Sequence, residues 1–220
     1  MIFVRGNHES CKLTGKGWYS FLDPQLFKHK CEKNSPAYNI AINDLNFLVF
    51  DSAEVKTGPD YEQEMLEKYQ ADFKKIAESI DHSAILLIHH PILGLQKLSD
   101  DELFSPKLNA PVLNKAFGQE FVNKMPAAIS GHFHLSAQVN RKSDNFQQFI
   151  VGNSSTLLHK AKNNSYAYHV GDETGSVGVN KHGYTQFDHL EGHLWKVTSY
   201  ALDGSILFTS EISLDPSTLK

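Results

Sequence analysis

Ala84-Ile85-Leu86-Leu87-Ile88 runs without a polar break into His89-His90-Pro91. A short apolar run bounded by polar residues and a proline reads as a buried strand ending in a loop. In the segment before it, Tyr61 to Ile80, the residues Met65, Leu66, Tyr69, Phe73, Ile76, Ala77 and Ile80 fall at three- and four-residue steps. That period predicts an amphipathic helix with its apolar stripe in the core. Asp60 is the expected N-cap, and Glu62 and Glu64 lie in the first turn, where the helix dipole favours negative charge. A helix followed at once by a buried strand is the crossover of an α/β sheet. In such sheets ligands collect beyond the carboxyl ends of the strands.

Two further stretches repeat the pattern. Met1-Ile2-Phe3-Val4 leads to Gly6-Asn7-His8-Glu9, and Ala127-Ala128-Ile129-Ser130 leads to Gly131-His132-Phe133-His134. Each is expected to be a strand that delivers polar side chains into a loop. A second amphipathic helix is predicted from Val112 to Met125, ended by Pro126. Tyr38–Ile42 and Leu45–Phe50 flank Asn43-Asp44, a hairpin signal. From about Phe146 onward the chain reads as antiparallel strands, with a tight turn at Asp203-Gly204. Gly15 to Pro24 reads as a packed surface loop rich in glycine and aromatics, a lid over a pocket being the alternative. Residues 162–185, rich in Gly, Asn and Ser, are expected to form an extended surface loop.

The 220 residues are 40% hydrophobic, enough for one sizeable core and a single domain. A net charge of −4, from 21 basic and 25 acidic residues, leaves no electrostatic footprint for nucleic acid or an anionic membrane. No apolar stretch approaches the roughly 20 residues needed to span a bilayer. Arg5 and Asn7 interrupt the first apolar run, which does not read as a signal peptide. Cys11 and Cys31 fit equally well a disulfide or two reduced thiols. As a disulfide the bridge would contribute on the order of 3 kcal/mol.

Twelve histidines is a high count for this length. His29, His82, His159, His169, His182, His189 and His193 lie in polar or turn-like surroundings and are expected on the surface. The others, His8, His89, His90, His132 and His134, sit at the strand ends. Neutral imidazole is the commonest protein ligand for transition metals, and an amide oxygen such as that of Asn7 adds a harder donor. On an extended loop, the two imidazoles of Gly-His-x-His can point into one cavity and touch two neighbouring metals. Gly131 lets the chain turn sharply there, and Pro91 fixes it after the histidine pair.

Taken together, Gly6-Asn7-His8-Glu9, His89-x-Pro91 and Gly131-His132-x-His134 resemble the last three signature motifs of the calcineurin-like metallophosphoesterases. The resemblance implies two packed, mixed β-sheets flanked by helices in four layers, with a two-metal centre at the strand ends. It implies hydrolysis of a phosphate ester, monoester or diester, using iron, manganese or zinc. By motif, Asn7, His89 and His132 would bind the second metal and His134 the first, while His8 would protonate the leaving-group oxygen. The stretch from Glu9-Ser10-Cys11 through Gly17-Trp18 and Phe21-Leu22-Asp23-Pro24 to Cys31 further resembles exported bacterial members, which implies a Cys11–Cys31 disulfide. Substrate choice would lie in loops 11–36 and 94–111.

The chain departs from that family in one respect. The first two motifs, Asp-x-His and Gly-Asp-x-x-Asp, are absent: no Asp-x-His occurs, and Gly171-Asp172-Glu173-Thr174-Gly175 lacks the second acid. A two-metal centre holds its ions about 3.5–4 Å apart. Ions so close need anionic ligands between them, whereas Asn7, His89, His132 and His134 are neutral donors. These residues are therefore expected to hold one ion or none. The chain is expected to be one domain over residues 1–220, incomplete at its N-terminus and lacking strands there, with little or no activity alone. The alternative is a non-catalytic metal-binding or interaction remnant.

Overall fold

The computed structural model describes residues 1–23, 30–42, 45–58, 60–80, 83–95, 109–155, 157–158, 165–178 and 180–213. The chain is a mixed α/β protein built on two sheets. The larger sheet has eight strands in the order β1-β2-β3-β4-β6-β5-β8-β7. They are β1 Tyr38–Ile42, β2 Leu45–Phe50, β3 Ile85–Ile88, β4 Ala127–Ser130, β5 Ser136–Arg141, β6 Phe146–Val151, β7 Ser165–Val170 and β8 Glu173–Gly178. The smaller is an antiparallel sheet of β9 Gly183–Glu191, β10 Leu194–Ala201 and β11 Ile206–Ser213, in the order β11-β10-β9.

Four strands, β2, β3, β4 and β6, run parallel, and their register aligns their ends. Phe50 pairs with Ile88, Ile88 with Ser130, and Ser130 with Ile150. The residues that follow each strand therefore emerge along one line. Every residue of β3 is buried, as a parallel strand covered on both faces requires.

On one face, Leu48, Phe50, Leu86, Ile88 and Ala128 pack against α2 (Gln63–Glu78) and α3 (Pro111–Ala116). Phe73 of α2 is fully buried, stacked on Phe50 at 4.9 Å and edge-on to Phe117 at 5.2 Å. On the other face, Val49, Ile85, Leu87, Ala127 and Phe149 meet Val197 and Ile212 of the small sheet. Among the described residues, no helix is long and apolar enough to cross a membrane.

Several expectations are corrected. α2 begins at Gln63, and its N-cap is Glu62, without a side-chain capping bond, rather than Asp60. The helix predicted over Val112 to Met125 stops at Ala116, and a single 3-10 turn follows at Gln119–Phe121. Phe117 is the C-cap, with a non-helical backbone (φ −85°, ψ 79°), and Gly118 after it is extended (φ −70°, ψ 167°); the Phe117 ring packs on Phe73 and Phe146. Gly15 to Phe21 is a helix, α1, that buries Trp18 and Tyr19, not a loop. β6 pairs parallel with β4 and antiparallel with β5, so the chain after Phe146 does not begin as a purely antiparallel set. The small sheet is wholly antiparallel among the described residues rather than mixed.

The run 162–185, read as loop, instead holds β7, β8 and the start of β9. Two of its glycines mark places where backbones pass close: a Cβ on Gly175 would collide with the Gln138 carbonyl, and one on Gly183 with that of Tyr200. Met1–Val4 forms no strand, because a strand needs a ladder partner and none bonds to it among the described residues. Ile2 and Val4 still lean on the second core cluster, while Met1 and Phe3 face solvent. The hairpin of β1 and β2 is as expected; its turn, Asn43-Asp44, lies outside the described residues, as do most of loop 94–111 and His29, His82 and His159. His169, His182, His189 and His193 are exposed.

Candidate metal centre

Asn7 and His8 ride on a 3-10 turn, Asn7–Glu9, closed by Glu9 N–H to the Gly6 carbonyl (3.0 Å) and Ser10 N–H to that of Asn7 (3.3 Å). The Glu9 carboxylate turns back to accept the Gly6 N–H at 3.1 Å. Behind the turn lies Arg5, 1% exposed. A buried guanidinium is tolerable only when its donors are paired. Arg5 Nε donates to the Glu9 carbonyl (2.9 Å), and Nη1 reaches Asp51 Oδ2 (2.8 Å), the Tyr19 hydroxyl (3.0 Å) and the Lys33 carbonyl (3.2 Å). Asp51 ends β2 as His89 ends β3, yet its carboxylate is committed to Arg5 and to the N–H groups of Ser35 and Ala53. It braces the turn rather than lining the cavity.

His89 leaves β3 beside Gly6, where a Cβ would stand 2.9 Å from the imidazole, so only glycine lets the ring lie against the backbone. His132 has φ 64°, the left-handed region that non-glycine residues rarely occupy. The bonds from Phe133 N–H to the Gly131 carbonyl and from Leu135 N–H to the Phe133 carbonyl, both 2.8 Å, hold this kink. It buries Phe133 in the core while His132 and His134 on either side line the cavity. Gly152, at the end of β6, packs so close to the Phe133 carbonyl that a Cβ would collide with it.

The result is a cavity of about 560 Å³ that Asn7, His8, His89, His132 and His134 all line, closed by Gly131 and by Val151, Gly152, Ser154 and Ser155. All five residues singled out in the sequence as ligands or proton donor are thus brought together. His89 Nε2 lies 2.8 Å from Asn7 Oδ1 and 3.3 Å from His132 Nδ1. Tetrahedral zinc at about 2.0–2.1 Å from each donor needs donors about 3.4 Å apart. One hydrogen on His89 Nε2 can face both acceptors, and an ion would have to replace it. Burial above all, then the neighbouring His132, His8 and His134, pulls the His89 pKa from 6.5 to about 3, so the imidazole is neutral, the charge state from which a histidine coordinates a metal. The donor set fits a transition metal ion.

His90 was in the strand-end set but was not given a role. It is 1% exposed, and its backbone N–H and Nδ1 both contact Ser52 Oγ at 3.1 Å. Its Nε2 is buried without a hydrogen-bond partner, and its ring centroid is 4.2 Å from that of His132. A nitrogen from each of His89, His90 and His132 falls within a 4.8 Å group that could hold an ion. No sequence signal separated His90 from its neighbour; only the alternation of side chains at a strand end does so. The Gly152–Ser155 lip was also missed, because Gly and Ser read simply as a turn. No carboxylate lines the cavity among the described residues. The Cys11–Cys31 bridge, left open by the residues themselves, is formed, with Cα atoms 5.6 Å apart.

No protein-family model matches the chain, and no curated protein matches it.

Proposed function

We propose that the chain belongs to a metal-dependent phosphoesterase of the calcineurin-like, four-layer kind, and that it carries the histidine and amide half of the metal centre. The observation that carries this reading is the convergence of Asn7, His8, His89, His132 and His134, from distant segments, on one cavity. Asn7, His89 and His132 would hold one ion, which supplies Lewis acidity toward a phosphoryl oxygen. Iron, manganese and zinc all accept imidazole with amide oxygen. His134 would serve a second position, which also needs carboxylate donors. His8, exposed at the mouth, would hydrogen-bond the leaving-group oxygen and give it a proton. The substrate is a phosphate monoester or diester small enough, at its phosphoryl end, for the cavity.

A second reading, metal binding without turnover, is favoured by the lack of a carboxylate in the cavity lining among the described residues. Calorimetric titration of chelator-treated protein with manganese and with zinc tests both. We expect near one ion per chain, weakened at least tenfold by His132→Ala, and little hydrolysis of p-nitrophenyl phosphate or its bis ester. No ion binding at all would overturn the metal assignment. Robust hydrolysis abolished by His132→Ala would establish the phosphoesterase and refute the half-site argument, and two tight ions would refute that argument too.

A further inference from the structure

The Cys11–Cys31 bridge joins two segments that both bear on the Asn7–His8 turn. Cys11 follows the turn directly, and its backbone N–H donates to Glu54 Oε1 at 3.1 Å. Cys31 begins a strap, residues 31–35, that has no regular secondary structure. The sulfur of Cys31 lies 2.5 Å from where a Cβ on Gly15 would stand, so the strap is seated on the start of α1.

Two carbonyls of that strap complete the support of the turn. Glu32 O accepts the Tyr19 hydroxyl at 2.9 Å, and Lys33 O accepts Arg5 Nη1 at 3.2 Å. Ser35 then donates from its backbone to Asp51, the carboxylate that pairs with Arg5. Arg5 in turn holds the Glu9 carbonyl, and the Glu9 carboxylate holds Gly6 N–H. A continuous set of hydrogen bonds therefore runs from the strap, at Glu32 and Lys33, through Arg5 to the turn whose Asn7 Oδ1 faces His89. Both cysteines are half-buried, so a small thiol can reach the bridge.

We propose that this disulfide is a redox control on the metal centre, an inference that rests on the reading of Asn7 as an ion ligand. Oxidised, it keeps the strap against Arg5 and the turn in its ion-binding position. Reduction transfers two electrons and two protons from two molecules of a small thiol such as glutathione. The S–S bond breaks, Cys11 and Cys31 become thiols, and the reductant leaves as its own disulfide. The strap is then held by hydrogen bonds alone, Arg5 loses its fixed Lys33 acceptor, and Asn7 is no longer preorganised.

The test measures manganese affinity, by electron paramagnetic resonance, in the oxidised chain and in the Cys11→Ser/Cys31→Ser chain. Amide hydrogen exchange of residues 6–10 is followed in both without metal. The expected result is a dissociation constant at least tenfold larger in the serine pair, with faster exchange at residues 6–10 and unchanged exchange in β3. Equal affinity and equal exchange would overturn the proposal. So would two alkylatable thiols in the air-oxidised chain. If neither chain binds manganese, the ligand reading fails, and the exchange data then decide the coupling by themselves. Should the serine pair not fold, the same two measurements on the unmodified chain across a series of glutathione redox buffers replace it. There the affinity should fall as the bridge is reduced and return on reoxidation, and an affinity indifferent to the buffer would overturn the proposal.

Discussion

His132 holds a left-handed backbone and His89 a deeply shifted imidazole, and both depend on the packing around them. Burial is the main cause of the lowered His89 and His90 pKa values, reinforced by the other imidazoles of the cluster. The consequence for stability has a definite sign. Between pH 6.5 and about 3, the unfolded chain binds protons on these histidines that the folded chain refuses. Stability is therefore full above the unfolded value and falls as the pH falls, by at most about 1.4 kcal/mol per pH unit for each imidazole. Urea midpoints of chelator-treated protein should decline from neutral pH toward mild acid, and His90→Gln should decline less steeply. Midpoints that stay level over that range would contradict this account.

At the scale of the elements, α2 is fastened to the sheet by Phe73, which lies between Phe50 and Phe117. Phe73→Ala should cost about 3–5 kcal/mol, as for a large aromatic removed from a closed core; chemical denaturation would read it, and a loss below ~1 kcal/mol would mean the helix is held elsewhere. The elements legible in the sequence were those with one dominant period. The α2 stripe, the all-apolar β3 and the mostly apolar β4 were plain, and so were the histidines at the strand ends. The elements that escaped were strands whose residues answer to something other than hydrophobic pattern. β8 carries glycines where strands approach, and β5 alternates but has only Ala137 and Val139 as apolar residues, with Ser136, Gln138 and Asn140 between and beside them. Ser136 and Gln138 are buried nonetheless, Ser136 beside Ser199 of β10 at 2.5 Å. Met1–Val4 failed in the opposite way, having a strand's composition without a ladder partner. The Arg5–Asp51 brace was invisible because its residues lie 46 apart in sequence.

For the whole molecule, the contact between the two sheets is imperfect. A wholly apolar cavity of about 100 Å³ remains between them, lined by Phe47, Ile85, Ile129, Phe149, Phe187 and Trp195 among others. Dry apolar voids of this order take up apolar gases and small hydrocarbons. Xenon should therefore shift the methyl resonances of Ile85, Ile129 and Ile212 in a saturable way, and Ala127→Val should diminish the effect. A spectrum indifferent to xenon would show that the sheets close upon each other in solution.

Because β2, β3, β4 and β6 stop level with one another, His89, His132, His134 and the Gly152–Ser155 lip hang from a single rim. Such a rim behaves as a socket: its connectors could be rewritten, one at a time, to receive a different guest. The scaffold below would register such a change first at Gly6 and Gly152, where there is no room for even one additional carbon atom.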